Sequence, residues 1–126
     1  MSLNQECNNR RYLYGRLLAV ADRIEYLTFE PKEDRQTNAK RFMNTFSQRP
    51  FRTWQLIEEK IQPYLNKLSP AQKIYYSKLL DEIFNKFKDG EFSNDSKLDG
   101  LYLLGFHNQS FAFRKDSLNQ DEEENE

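Results

Sequence analysis

Basic residues in the first half of the chain are spaced in a pattern that can bind phosphate groups. No acid interrupts the stretch from Arg35 to Ile57, and none interrupts the stretch from Arg10 to Ala21. Aromatic residues alternate with these cations, a combination typical of surfaces that bind a nucleic-acid backbone. Such binding depends strongly on salt and has little sequence preference. The candidate contacts are Arg10, Arg11, Arg16, Lys40, Arg41, Arg49 and Arg52.

Pro50 strengthens the phosphate interpretation for two of these candidates. Proline is favoured at the first position of a helix, and the backbone N–H groups of a first turn have no partner within the helix. Arg49 and Arg52 flank this helix start, so cations and free N–H groups would face the same anion. The charge pattern fits a second interpretation equally well, an ordinary positive helix face whose aromatic neighbours fill the core.

The residue types needed for catalysis or metal binding are nearly absent. His107 is the only histidine and Cys7 the only cysteine, and they stand at opposite ends of the chain, without the spacing of metal ligands. No glycine-rich phosphate loop, GxSxG elbow or HExxH motif is present. Adjacent acids such as Glu58 and Glu59 are explained more simply as a solvated helix face than as catalytic carboxylates. We therefore expect a protein that is not an enzyme and that uses no cofactor and no metal.

The composition limits the chain to one modest domain. Its 126 residues can form a single core, and 37% of them are hydrophobic whereas 31% are charged. This balance favours an open helical domain, or one that covers part of its surface with partners. A single cysteine is typical of a protein from a reducing compartment. Because the sequence also lacks a membrane-spanning apolar run and a signal peptide, we expect a cytoplasmic protein without membrane contact.

The two parts of the chain carry opposite charge, although the net charge is −1. Residues 116–126 hold six acids and no base, which leaves 19 basic and 14 acidic residues in 1–115. We expect a basic helical domain over residues 1–115, followed by a disordered acidic tail over residues 116–126.

Apolar residues recur at three- and four-residue steps, which predicts helices and no strands. The predicted fold class is all-α, a single bundle of about five helices. Ser69 and Gln72 form a capping box that marks one helix start, and Pro63 is expected to kink or end the helix before it. The predicted helices cover approximately residues 8–28, 38–46, 50–63 with an added turn to 68, 69–89 and 97–113, with a loop around Pro31.

Gly15 interrupts the apolar pattern of the first helix at a cost of about 1 kcal/mol relative to alanine. A rotation of about 100° per residue places Gly15 and Ala19 together, away from the main apolar stripe. Two small residues at this spacing allow another backbone to approach, so we predict that the helix is contacted on two sides. The alternative is a tolerated surface glycine. Arg16 and Arg23 share an edge of the same helix, consistent with a basic ridge.

Three stretches of the chain, in order, resemble a known family. They are LNQECNNRRYLYGRLLAVADRIE (Leu3–Glu25), AKRFMNTFSQRPFRTWQLIEEKIQPYLNKL (Ala39–Leu68) and DGLYLLGFHNQSFAF (Asp99–Phe113). Together they resemble the C-terminal region of the large subunit of type I-C CRISPR surveillance complexes (Cascade). In that system the same region is also made separately, from an internal start, as the small subunit. The first stretch is the most specific match, because its cysteine and asparagines lead into Gly15-Arg16-Leu17.

The resemblance implies a non-catalytic small subunit. Several copies would line a crescent built on a guide RNA, hold the backbone subunits together and present basic faces to the guide–target duplex or the displaced DNA strand. Base pairing reads the sequence in such complexes, so backbone contacts and stacking surfaces suffice. The implied partners are the backbone and large subunits, guide RNA and target DNA, and other copies of this chain. Gly15 and Ala19 would pack helices within the bundle and leave Arg16 facing nucleic acid.

The last stretch departs from the family's pattern. The family usually has glycine, two aromatics, histidine, glutamine and a basic residue, whereas this chain has GFHNQS over residues 105–110. The histidine is shifted by one place and the basic residue is missing, so no role is carried over to His107. Met1, just ahead of the matching region, fits a free-standing small subunit and equally a truncated piece.

Two other functions stay open at this point. A protein–protein adapter would use its basic faces to bind acidic partner surfaces and would never contact nucleic acid. A stand-alone DNA-binding regulator would need a helix-turn-helix with a recognition helix and a dimer interface. The short second helix and the turn SQRP fit that pattern poorly.

Overall fold

The computed structural model describes residues 3–29 and 35–124, and for residues 116–124 it describes only the helical backbone. Every regular element among these residues is a helix, which confirms the all-α fold class. None of the described helices is long and apolar enough to cross a membrane. The helices are α1 (Arg10–Tyr26), α2 (Asn38–Arg41), α3 (Met43–Gln48), α4 (Pro50–Lys67), α5 (Pro70–Phe84) and α6 (Leu101–Glu124).

α1 is the central helix of the bundle. Its apolar stripe, which includes Leu13, Leu17 and Val20, is completely buried, because α4, α5 and α6 all pack against it. Burial extends around the helix to Gly15 and Ala19 on the other face. The prediction that this helix is contacted on two sides is therefore confirmed.

α1 and α6 touch through their backbones at a pair of glycines. A Cβ atom on Gly15 would lie 2.8 Å from the backbone nitrogen of Phe106 and would overlap the carbonyl oxygen of Tyr102. A Cβ atom on Gly105 would likewise overlap the carbonyl oxygen of Tyr12. The absence of both side chains lets the two backbones meet, so the close approach predicted at Gly15 is confirmed.

The segment before α4 forms two short helices where the pattern predicts one over residues 38–46. α2 begins after Thr37, whose hydroxyl accepts a hydrogen bond from the backbone N–H of Lys40. Phe42, with φ −95° and ψ 9°, leaves the helical conformation and separates α2 from α3. The loop predicted around Pro31 includes residues 30–34, which lie outside the described residues.

Two prolines have different effects on α4. Pro50 occupies its first turn, as predicted. Pro63 lies inside the helix without ending it, and α4 continues to Lys67. Ile61 and Leu65, on either side of this proline, are buried. Their contacts with the core hold the last turns in place although the proline removes one helical hydrogen bond.

The capping box predicted at the start of α5 is confirmed, because Ser69 and Gln72 each bond the other's backbone N–H. The helix ends at Phe84, a few residues earlier than predicted, since residues 85–100 form a loop that carries aromatic rings into the core. Phe87 and Phe92 pack against Tyr14 of α1, with ring centroids 5.1 and 5.7 Å away.

α6 begins at Leu101, whose N–H donates to the side chain of Asp99, and not at Lys97 as predicted. It continues to Glu124, into the acidic segment for which the composition predicts disorder. Beyond Gly105 the segment contains no glycine or proline, the two residues that disfavour a helix interior most strongly. Residues 125–126 lie outside the described residues.

Candidate nucleic-acid interface

The first two candidate arginines fasten a loop to the start of α1. Arg10 donates from Nη2 to the carbonyl oxygens of Asn94 (2.7 Å) and Ser96 (2.6 Å). Arg11 forms an ion pair with Asp99. Both cations are therefore engaged within the fold and hold the loop before α6, and any phosphate must compete with these partners.

Arg16 is expected from the resemblance to face nucleic acid, but in the structure it does not face outward. Its side chain is only 2% exposed, because the glycine crossing brings α6 over the edge of α1 that carries it. Nε of Arg16 donates to Oε1 of Gln109 on α6 at 2.9 Å. Burial lowers the pKa of the Arg16 guanidinium, while nearby Tyr12 and Glu82 oppose the shift. The group nevertheless stays charged at physiological pH.

A cavity of about 390 Å³ adjoins Arg16 between α1, α5 and α6. Gln109, Glu82 and Tyr75 also line it. Nη1 of Arg16 is buried and has no hydrogen-bond partner among the described residues. The guanidinium is therefore held by one side-chain acceptor, and the space beside it is large enough for water. This arrangement is better suited to packing α1 against α6 than to contact with a large ligand.

The start of α4 already holds an anion, the carboxylate of Asp95. Its Oδ1 accepts hydrogen bonds from the backbone N–H groups of Phe51 (3.0 Å) and Arg52 (3.3 Å). Its Oδ2 lies 3.7 Å from Nη1 of Arg49 and 3.8 Å from Nε of Arg52. The expectation of free N–H groups at Pro50 is therefore wrong. The chain supplies its own anion for this helix start from a loop distant in sequence.

Arg49 and Arg52 themselves remain largely in solvent. Their side chains are 64% and 78% exposed, and their ion pairs with Asp95 are long, so the shared carboxylate holds them near each other without covering them. Lys40 and Arg41 on α2 are exposed as well. The exposed basic set thus consists of Lys40, Arg41, Arg49 and Arg52.

Arg35, the first base of the acid-free stretch, is used within the fold. Glu25 is completely buried, and its Oε1 lies 2.7 Å from Nη1 of Arg35. Oε2 of the same carboxylate accepts from the backbone N–H of Asn38 at 2.7 Å. Glu25 thereby anchors the start of α2 to α1 and places Lys40 and Arg41 at the surface.

A second basic surface was predicted only in part, since Lys40 is a candidate contact and Arg23 belongs to the predicted basic ridge of the first helix. It lines a cleft of about 400 Å³, here called the α1–α6 cleft, to which α2 also contributes. The cations of the cleft are Arg23, Lys40 and Arg114, and the side chain of His107 also lines it. Arg23, His107 and Arg114 were not among the candidate contacts. The seven-residue spacing of His107 and Arg114 nevertheless places both on one face of α6.

Within the described residues, no group of three or more histidine, cysteine, aspartate or glutamate side chains is arranged to hold a metal ion. The arrangement offers cations and aromatic rings instead.

Comparison with known proteins identifies one family. A family model described as CRISPR-associated protein (Cas_Csd1) matches residues 1–114. The matched range contains α1 to α5 and the first part of α6. No curated protein matches the chain.

Proposed function

Because the chain belongs to the CRISPR-associated Cas_Csd1 family, we propose that it acts as the non-catalytic small subunit of a type I-C CRISPR RNA-guided surveillance complex. In this role it scaffolds the backbone subunits. It also contacts the guide–target duplex or the displaced DNA strand through basic helix faces. The observation that carries the proposal is the family match, which covers nearly the whole chain and every helix that positions the exposed basic set.

The exposed basic set supports the nucleic-acid part of this proposal. Lys40, Arg41, Arg49 and Arg52 present their charges to solvent from α2 and the start of α4. In RNA-guided complexes base pairing supplies sequence specificity. A subunit with a few solvent-exposed cations can therefore contribute through phosphate contacts alone.

Exposed apolar side chains support the scaffolding part. They are distributed over several helices and are available for contacts with neighbouring subunits. The large ones are Tyr26, Leu56, Ile74, Tyr75, Leu103 and Phe111.

The proposal is tested by co-expression with the backbone subunits, the large subunit and the guide RNA of a type I-C system. A tagged copy of the chain should co-purify with the assembled complex, and the complex should bind target DNA. The variant R41E/R49E/R52E should weaken target binding and flatten its salt dependence, because three phosphate contacts are lost. The matched control K73E/K78E/K97E changes the same charge at exposed lysines elsewhere and should bind like the wild type.

The adapter alternative predicts that charge reversal impairs assembly of the complex and leaves its binding of target DNA unchanged. Arg10, Arg11 and Arg16 are engaged within the fold, which leaves fewer cations for nucleic acid than the sequence indicates. If R41E/R49E/R52E breaks assembly while any complex that forms binds target DNA normally, the basic residues meet acidic partner surfaces. A chain that never co-purifies with the complex would contradict both functions.

A further inference from the structure

The α1–α6 cleft has the size and the charge of a small-ligand site. Its volume of about 400 Å³ falls within the roughly 300–1,000 Å³ typical of ligand pockets. Arg23, Lys40, His107 and Arg114 line it, and Asp22 is the acid among its lining residues. Oδ1 of Asp22 accepts a hydrogen bond from the hydroxyl of Thr37 at 2.5 Å. The carboxylate is therefore partly engaged and the cleft favours an anion.

Two aromatic rings lie beside Arg23 in the cleft. Tyr26 is 58% exposed at the rim, whereas Phe113 is buried. The guanidinium of Arg23 lies 6.0 Å from the ring centroid of Tyr26 and 5.9 Å from that of Phe113. Arg23 therefore lies within cation–π distance of both rings, and the exposed ring of Tyr26 offers a face on which a further planar group can stack.

A nucleotide combines the two features that the cleft would recognise, a flat base and a negative phosphate. The base of a paired nucleotide is stacked inside the duplex, so only an unpaired base can present its face to Tyr26. Lys40 and Arg114 are exposed and can reach a phosphate next to such a base. A membrane surface or an acidic peptide would use the cations but would leave the aromatic surface without a flat partner.

We infer that the α1–α6 cleft binds an unpaired nucleotide of single-stranded nucleic acid, with the base stacked on Tyr26 and the phosphate held by Lys40 and Arg114. This inference rests on the proposed function and specifies the form of nucleic acid that the chain prefers. It also adds Tyr26, Arg23, His107 and Arg114 to the residues expected to contact nucleic acid.

The test measures binding of the purified full chain to fluorescein-labelled oligothymidylate at low salt by fluorescence anisotropy. A duplex of the same length is the comparison. Y26A should weaken oligothymidylate binding at least about fivefold, since stacking on one aromatic ring contributes roughly 1–3 kcal/mol per base. Y26F should restore it because the ring is retained. Y75A removes another exposed tyrosine and should have no effect.

The phosphate contact is tested with a neighbouring pair of cations. R114A should weaken binding and lower the salt dependence, whereas K115A, which removes the same charge one residue along α6, should change binding less. A photo-reactive thymidine in the oligonucleotide should crosslink to peptides that contain Tyr26 or His107. Circular dichroism melting checks that each variant is folded.

Three outcomes would overturn the cleft assignment. They are no binding of oligothymidylate by the wild-type chain at low salt, equal affinity of Y26A and wild type, and crosslinks confined to α4. None of these affects co-purification with the surveillance complex, so the cleft can fail while the proposed function stands. Conversely, cleft-dependent binding by a chain that never joins the complex would contradict only the proposed function.

Discussion

Gly15 of α1 and Gly105 of α6 lie at the same helix crossing, where each occupies the position at which a side chain would strike the other helix's backbone. The contact is reciprocal, since Gly15 faces Tyr102 and Phe106 while Gly105 faces Tyr12. α6 contributes both the partner of Arg16 and one wall of the α1–α6 cleft. The glycine pair therefore sets the position of each of these features.

Replacing either glycine of this pair by alanine should destabilise the protein. An added methyl group would overlap backbone atoms that cannot rotate away, and overpacking of this kind costs about 1–3 kcal/mol. Urea denaturation should show a lower midpoint for G15A and for G105A. G100A is the control, because a Cβ atom there would meet no described atom within 4 Å, and its stability should be unchanged or slightly raised. Wild-type stability of G15A would contradict the close crossing.

The stability lost with the hydrogen bond between Arg16 and Gln109 should depend strongly on which of the two side chains is replaced. Q109L would leave the buried guanidinium without its Nε acceptor, and an unsatisfied buried charged group costs several kcal/mol. The double variant R16M/Q109L removes the charge as well, so it should be more stable than Q109L. Denaturation of the wild type, R16M, Q109L and the double variant gives the coupling energy between the two side chains. Additive effects would mean that the two side chains do not interact.

Local signals in the sequence were sufficient to predict much of the bundle. The apolar spacing of Leu13, Leu17 and Val20 predicts α1, and the capping box at Ser69 predicts the start of α5, because both depend on residues within a few turns of each other. The close approach at Gly15 follows from the same spacing. Its partner helix does not, since Gly105 is distant in sequence.

The candidate site was harder to predict because its geometry depends on contacts between distant segments. Arg16 lies on a basic edge of α1 by periodicity, but α6 covers that edge in the folded chain. Asp95 reaches the start of α4 from 43 residues away, and nothing near Pro50 indicates it. The α1–α6 cleft combines residues of three helices. The charge pattern predicts phosphate contacts at Lys40, Arg41, Arg49 and Arg52, which are exposed, and these contacts stay a prediction.

Tyr14 should make stability depend on alkaline pH. Burial raises the pKa of its hydroxyl above the usual value of 10.0, an effect that Arg10 opposes and Asp95 reinforces. The unfolded chain therefore loses this proton first. The stability that the neutral hydroxyl contributes is fully present below about pH 10 and is lost as the pH rises from there through the folded-state pKa.

The variant Y14F should separate this effect from packing. It keeps the ring but loses the hydrogen bond to the carbonyl oxygen of Phe92, which should cost about 1 kcal/mol at neutral pH. Above about pH 10 its stability should fall less steeply than that of the wild type. Thermal melting from neutral to alkaline pH provides the comparison, with exposed Tyr26→Phe as the control. Parallel curves for Y14F and wild type would contradict the assignment to Tyr14.

Asp95 should have opposite effects on stability and on nucleic-acid binding. Its carboxylate caps the start of α4 and lies beside Arg49 and Arg52, so D95N should lose about 1 kcal/mol of stability through the weakened cap. The same change removes the anion that partly neutralises the two arginines, and affinity for oligothymidylate should rise. D89N removes one negative charge from an exposed position of the same loop and should leave stability unchanged. If D95N and D89N raise affinity equally, the gain reflects net charge alone and not release of Arg49 and Arg52. If D95N raises affinity more while lowering the urea midpoint, the carboxylate competes with phosphate for these arginines.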